Sequence, residues 1–161
     1  MKKVLFLISL MICLCSYSQD ISKAEPRLGN PYVTLYQFHK KYYKDLNIYY
    51  YDTRIFVESD KGQRDGAVCR VWDMQAPGTV PLYLYAQSIR GYYYDTNAFA
   101  QNKGRKIGVV CYIYTAPSSG LVPLYEFKLP GNEILYYYDT REYVEPNKGN
   151  VTRIVGYVVP N

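Results

Sequence analysis

One histidine, His39, stands in 161 residues. That scarcity excludes a His-rich metal centre and the His-Glu-x-x-His zinc motif. Cysteine is scarce as well. Of four, Cys13 and Cys15 lie in the first 18 residues, which leaves Cys69 and Cys111, and no His/Cys group has metal-ligand spacing. A Gly-x-Ser-x-Gly nucleophile elbow is absent. Strong charge of either sign is lacking too. Without Lys2 and Lys3, the 19 basic residues fall to 17 against 14 acidic ones. A surplus of 3 spread along the chain does not point to nucleic acid. The densest basic patch, His39-Lys40-Lys41-Tyr42-Tyr43-Lys44, reads as a solvated loop, and His39 as a surface residue.

Only one long apolar run occurs, Val4 to Leu14, interrupted by Ser9 and preceded by Lys2 and Lys3. It is too short for a spanning helix, which needs roughly 20 apolar residues. Ser16 and Ser18 supply small residues at −3 and −1 of a cleavage site, so residues 1–18 have the layout of a secretory signal peptide cut after Ser18. Lipid anchoring is disfavoured, because Ile12 and Leu14 precede Cys13 and Cys15 where a small residue is wanted. The expected destination is outside the cell, in the periplasm or on the cell surface, with no stable membrane insertion. Residues 19–161 are one domain's worth of chain.

Tyrosine is abundant: there are 21, of which only Tyr17 lies in residues 1–18. Tyrosine suits strands and surfaces that are half apolar and half hydrogen-bonding. The string Tyr-Tyr-Tyr-Asp-Thr occurs at 49–53, 92–96 and 136–140, with Asp52, Asp95 and Asp139 separated by 43 and 44 residues. One unit is therefore used three times. An irregular leader, 19–32, precedes unit 1 (33–79), unit 2 (80–121) and unit 3 (122–161). Each opens on a strand: Val33 to Phe38, Val80 to Tyr85, Val122 to Phe127. Each then carries the tyrosine strand, a turn with Lys-Gly (Lys61, Lys103, Lys148) and a last strand. In unit 1, Lys40 to Asn47 reads as a connection and Arg54 to Val57 as an additional strand. Breakers every 8 to 12 residues predict an all-β fold. Three units that cannot bury their apolar faces alone predict packing around a pseudo-threefold axis, β-trefoil-like, with a small prism or three-bladed form as the structural alternative.

Alternation along a strand puts Tyr49, Tyr51 and Thr53 on one face and Tyr50 and Asp52 on the other. The same split sets Tyr93 with Asp95 and Tyr137 with Asp139. The aspartate face must be a surface or a rim. Two readings stand. In the structural one, Asp-Thr ends the strand with the carboxylate capping the backbone. In the functional one, Tyr50, Asp52, Tyr93, Asp95, Tyr137 and Asp139 form sugar sites, aromatic faces stacking on a pyranose and carboxylates accepting its hydroxyls. The turn lysines read as solvated, and their glycines as positions needing positive φ. Cys69 and Cys111 occupy equivalent places, with Gly156 in the third unit. They either meet near the axis as a disulfide, which an exported setting permits, or remain buried free thiols.

Three equivalent acids do not make the asymmetric carboxyl couple of a glycosidase. The expectation is a non-catalytic, lectin-like glycan-binding module without cofactor or metal, whose repetition raises avidity. A protein–protein adhesion or structural module is the alternative, and a secreted hydrolase a weaker one.

The strings Ala76-Pro-Gly-Thr-Val-Pro-Leu-Tyr83, Gly91-Tyr-Tyr-Tyr-Asp-Thr96 and Gly108-Val-Val-Cys-Tyr-Ile113 resemble a family of secreted bacterial and fungal repeat domains of unknown function. Its unit runs Gly-Thr-Val-Pro-Leu-Tyr-Arg, Asp-His-Phe-Tyr-Thr-Thr and Glu-Gly-Ile-Ala-Gly-Tyr-Val. The resemblance covers about residues 33 to 160. It departs where Tyr49, Tyr92 and Tyr136 replace the histidine, Asp52, Asp95 and Asp139 replace a threonine, and Gln37, Leu84 and Glu126 replace the arginine. It implies an accessory role and no established ligand.

Overall fold

The computed structural model describes residues 30–43, 46–87, 91–131 and 135–161; the signal-peptide expectation and most of the irregular leader lie outside them. The fold is all-β. Among the described residues, nine strands belong to one antiparallel sheet: β1 (Tyr32–Tyr43), β2 (Leu46–Asp52), β3 (Gln63–Trp72), β4 (Thr79–Ala86), β5 (Tyr92–Asp95), β6 (Arg105–Tyr114), β7 (Val122–Lys128), β8 (Tyr136–Asp139) and β9 (Asn150–Val158). Each unit supplies three. The opening strand sits centrally, with the tyrosine strand on one side and the last strand on the other. Single bridges join the last strands to one another: Trp72 to Tyr112, Tyr114 to Tyr157, and Arg70 to Val159.

The local chemistry explains the copying. Pro81 and Pro123 lie near the starts of β4 and β7, before pairing with the tyrosine strand begins at Tyr83 and Tyr125, so the missing N–H leaves no central ladder bond open. Register shifts interrupt each long pairing at the same two places: Leu35/Tyr36 and Gln37/Phe38, Leu82/Tyr83 and Leu84/Tyr85, Leu124/Tyr125 and Glu126/Phe127. These bulges re-aim the strand. Leu35, Leu82 and Leu124 are buried together with Val71, Ile113 and Val158 in the shared core. Gly62, Gly104 and Gly149 take φ of 102°, 133° and 88° after short 3-10 turns, the positive range that glycine tolerates.

Two boundaries in unit 1 differ from the expectation. Most of Lys40 to Asn47 is strand rather than connection: β1 runs to Tyr43, β2 starts at Leu46, and Lys40 and Lys41 pair with Ile48 and Asn47, while residues 44–45 lie outside the described ones. The ladder continues past the core because its exposed end needs only backbone pairing. Arg54 to Val57 is not a strand. The Asp52 carboxylate accepts the Arg54 N–H at 2.9 Å, which turns the chain out of the sheet and leaves Phe56 81 % exposed.

Cys69 and Cys111 are buried free thiols, so no disulfide joins them. Burial pushes both thiols well above the usual range. At the equivalent place, a Cβ on Gly156 would stand 2.8 Å from the Tyr114 carbonyl oxygen, which explains the glycine. Among the described residues, no helix is long and apolar enough to cross a membrane.

Candidate functional site

The third tyrosine of each pentapeptide enters the core and bonds to the next. Tyr51 donates its hydroxyl to the Tyr138 carbonyl at 3.0 Å and accepts the Tyr138 N–H at 2.8 Å. Tyr94 does the same at Tyr51, and Tyr138 at Tyr94. The three rings pack edge to face, with centroids 5.3 to 5.4 Å apart. Strands β2, β5 and β8, each laddered to one strand only, thus satisfy further backbone groups through phenols instead of a second ladder. Burial holds all three phenols far above their ordinary pKa.

The lysines are not simply solvated. Lys61 donates to the Tyr92 hydroxyl at 3.0 Å and lies over the Tyr50 and Tyr92 rings. Lys103 donates to Tyr136 at 3.1 Å and lies over Tyr93 and Tyr136. Lys148 reaches the Tyr49 hydroxyl and lies over Tyr49 and Tyr137. Each lysine therefore clamps its own unit to the next through cation–π contacts.

The second tyrosine and the aspartate meet, as strand alternation requires. Tyr50 donates to Asp52 at 2.7 Å, Tyr93 to Asp95 at 2.9 Å and Tyr137 to Asp139 at 2.7 Å. The three aspartates are each 8 % exposed, and Tyr50, Tyr93 and Tyr137 are more buried still. Their ring faces are covered by neighbouring tyrosines and the clamping lysines. They are not open stacking platforms. Asp52 and Asp139 cap the chain beyond them through the N–H of Arg54 and Arg141, and the same two arginines grip the carboxylates with their guanidinium groups. Burial raises both carboxyls, but the arginine, the capped amide and the tyrosine hydroxyl outweigh it and hold them below the usual range. Asp95 has Asn97 at the corresponding place, and takes its cation from unit 3 instead: Arg153 stands 3.0 Å from Asp95 and 2.9 Å from Glu126.

These walls border grooves between units. One, of about 350 Å³, lies between unit 1 and unit 3, with Gln37, Asp65 and Gly66 facing Tyr137, Asp139 and Arg141. A neighbouring hollow of about 300 Å³ extends it past Gln37 and Asp65 to His39, Asn47, Glu145 and Lys148. Asp65 accepts from Gln37 and pairs with His39, so His39 is part of this wall. A second groove, of about 330 Å³, lies between unit 2 and unit 1, where Leu84, Ile107, Gly108 and Val109 face Asp52 and Arg54. The volumes are at the lower end of the roughly 300–1,000 Å³ usual for ligand clefts.

Several of these residues escaped the sequence reading. Arg54 and Arg141 were legible as an arginine two places after the aspartate in two copies. Phe56, Phe99 and Tyr143 all stand four places after it, and are 81, 78 and 86 % exposed. Asp65 gave no signal, since its partners Gln37 and His39 lie on a different strand, and Arg153 gave none, since its role depends on another unit. Among the described residues, no three His, Cys, Asp or Glu side chains are grouped to hold a metal ion. Comparisons with protein-family models, curated proteins and solved structures give no match to this chain.

Proposed function

We propose that the protein is an exported, non-catalytic, lectin-like module that binds glycan between its repeated units. The observation that carries this reading is the position of Asp139. It lies with Arg141, facing Gln37, in the wall of an inter-unit groove of ligand-cleft size. A hydroxyl-rich ligand would meet carboxylate, amide and guanidinium groups there, whereas the buried tyrosine rings serve as framework. The three units stand, in this reading, around a pseudo-threefold axis in a trefoil-like cyclic order, with three strands each. The tyrosine bonds running from unit to unit support that arrangement. The resemblance to secreted accessory domains and the signal-peptide layout of residues 1–18 support export.

Catalysis has less support. A glycosidase needs one carboxyl held high to donate a proton, whereas Asp52 and Asp139 are both held low. A second reading, protein–protein adhesion, is favoured by the exposed Phe56, Phe99 and Tyr143, because exposed aromatics in copied loops are typical of contact surfaces. The experiment is a glycan-array screen of the full chain expressed with its leader. Binding to a related set of sugars supports the first reading. A blank array from protein shown to be folded overturns it in favour of adhesion.

A further inference from the structure

The inter-unit grooves are built from equivalent positions, yet they differ in chemistry. Across the ladder from Gln37, Leu84 and Glu126 stand Gly66, Gly108 and Arg153. A Cβ at Gly66 or Gly108 would meet nothing within 4 Å. Close backbone packing does not demand glycine there; the glycines leave space. At the third place, Arg153 occupies it, donating to the Tyr93 hydroxyl at 2.8 Å and to Asp95 at 3.0 Å. The cation that neutralises the pentapeptide aspartate thus comes from one of two directions. Where it comes from the aspartate's own loop, as Arg54 or Arg141, the neighbouring unit presents glycine and the groove is open. Where that loop offers Asn97, the neighbour sends an arginine through the groove.

The two open grooves are unlike. Leu84, Ile107 and Val109 make one wall of the unit 2–unit 1 groove apolar, and a sugar hydroxyl placed there would lose its water without a partner. The unit 1–unit 3 groove replaces Leu84 with Gln37 and Ile107 with Asp65, and it continues into the hollow bearing His39, Asn47 and Lys148. Its charges are mixed: Asp65, Asp139 and Glu145 against Arg141 and Lys148, with His39 beside Asp65. Such a balance suits a neutral, hydroxyl-rich ligand rather than a polyanion.

We infer that the protein has one glycan site per chain, not three. The site is the unit 1–unit 3 groove, its ligand is a neutral oligosaccharide, and Arg153 is a built-in plug of the counterpart between unit 3 and unit 2. This inference rests on the glycan-binding reading above.

The test is calorimetric titration of the full chain with maltotriose, cellotriose, mannotriose and chitotriose, with trigalacturonate as the charged probe. At least one neutral trisaccharide should bind with one site per chain. The paired change Gly66→Arg and Arg141→Asn, which copies the plugged arrangement, should weaken it at least tenfold. Gly108→Arg with Arg54→Asn should leave it within twofold. If a plugged variant unfolds, amide shifts in the wild type decide: Gly66 and Arg141 must move, and Gly108 and Arg54 must not. Three sites per chain, binding that survives Gly66→Arg with Arg141→Asn, or preference for trigalacturonate would overturn the inference while leaving glycan binding intact. No binding of any of the five probes by the folded chain would overturn both.

Discussion

The Tyr94 hydroxyl accepts the N–H of Tyr51 at 2.7 Å and donates to the carbonyl of the same residue at 3.0 Å, so one phenol satisfies both backbone groups of a residue in another unit. Tyr94→Phe removes that oxygen and leaves a buried donor and a buried acceptor unpaired. An unsatisfied buried group costs about 1–3 kcal/mol. We expect Tyr94→Phe, measured by urea unfolding, to fall in that range despite the loss of a single atom. A change below about 0.5 kcal/mol, half the smallest cost of an unsatisfied buried group, would mean that water replaces the hydroxyl.

Lys103 lies over Tyr93 of its own unit and Tyr136 of the next. Cation–π contacts are worth about 0.5–2 kcal/mol. Lys103→Met keeps the apolar stem and removes the charge, and should destabilise by that amount. A double-mutant cycle with Tyr136→Leu should return most of it as coupling energy. Additive single effects would show that the lysine only covers the rings.

Arg153 and Arg141 both pair with a pentapeptide aspartate, but in different surroundings. Arg153 also holds Glu126, which is 4 % exposed. Breaking a buried pair costs roughly 3–5 kcal/mol. The Arg153 side chain is 35 % exposed, so about 2–3 kcal/mol is expected for Arg153→Ala. Arg141 is 59 % exposed, and Arg141→Ala should cost under about 1 kcal/mol. Equal losses in chemical denaturation would contradict this ranking.

Both thiols are free and buried, with ionisation suppressed by burial. A thiolate-specific reagent should label neither Cys69 nor Cys111 in the native protein at neutral pH. Both should react once the chain is unfolded without reductant. Failure to react in denaturant alone would reveal a disulfide.

The pH dependence has two limbs. Asp52 and Asp139 are lowered on folding, so their contribution is complete above the unfolded carboxylate range, about pH 4, and disappears as pH falls through the lower folded values. Tyr51, Tyr94 and Tyr138 are raised. Their contribution is complete below about pH 10 and is lost as pH rises beyond it. Urea midpoints should therefore form a plateau between these limits. Asp139→Asn should flatten the acid limb, and an unchanged acid limb would place the titrating groups elsewhere.

Much of the architecture was readable because it is local and copied. Period-2 patterning, recurrent breakers and the pentapeptide specified strands, their number of copies and the common side of Tyr50 and Asp52. Asp-Thr specified the turn after β2 and β8, although the chain beyond it, Arg54 to Val57, leaves the sheet instead of forming an additional strand. The β1–β2 extension was hidden because exposed strand ends place little demand on side chains.

The amino-acid sequence by itself determined an all-β chain of three like units, each with tyrosines on both faces of one strand and a carboxylate at its end. It also determined that one imidazole and two cysteines were available beyond residue 18. Tertiary structure decided what those groups do. Whether a tyrosine is core or surface, whether Lys61, Lys103 and Lys148 are solvated or clamp a neighbouring unit, and whether a groove is open or filled all depend on side chains supplied from another unit. Asn97 and Arg153 are 56 positions apart, and no local pattern relates them. Packing brings them to one carboxylate, where charge balance at a buried site makes the arginine of one unit answer for its absence in another.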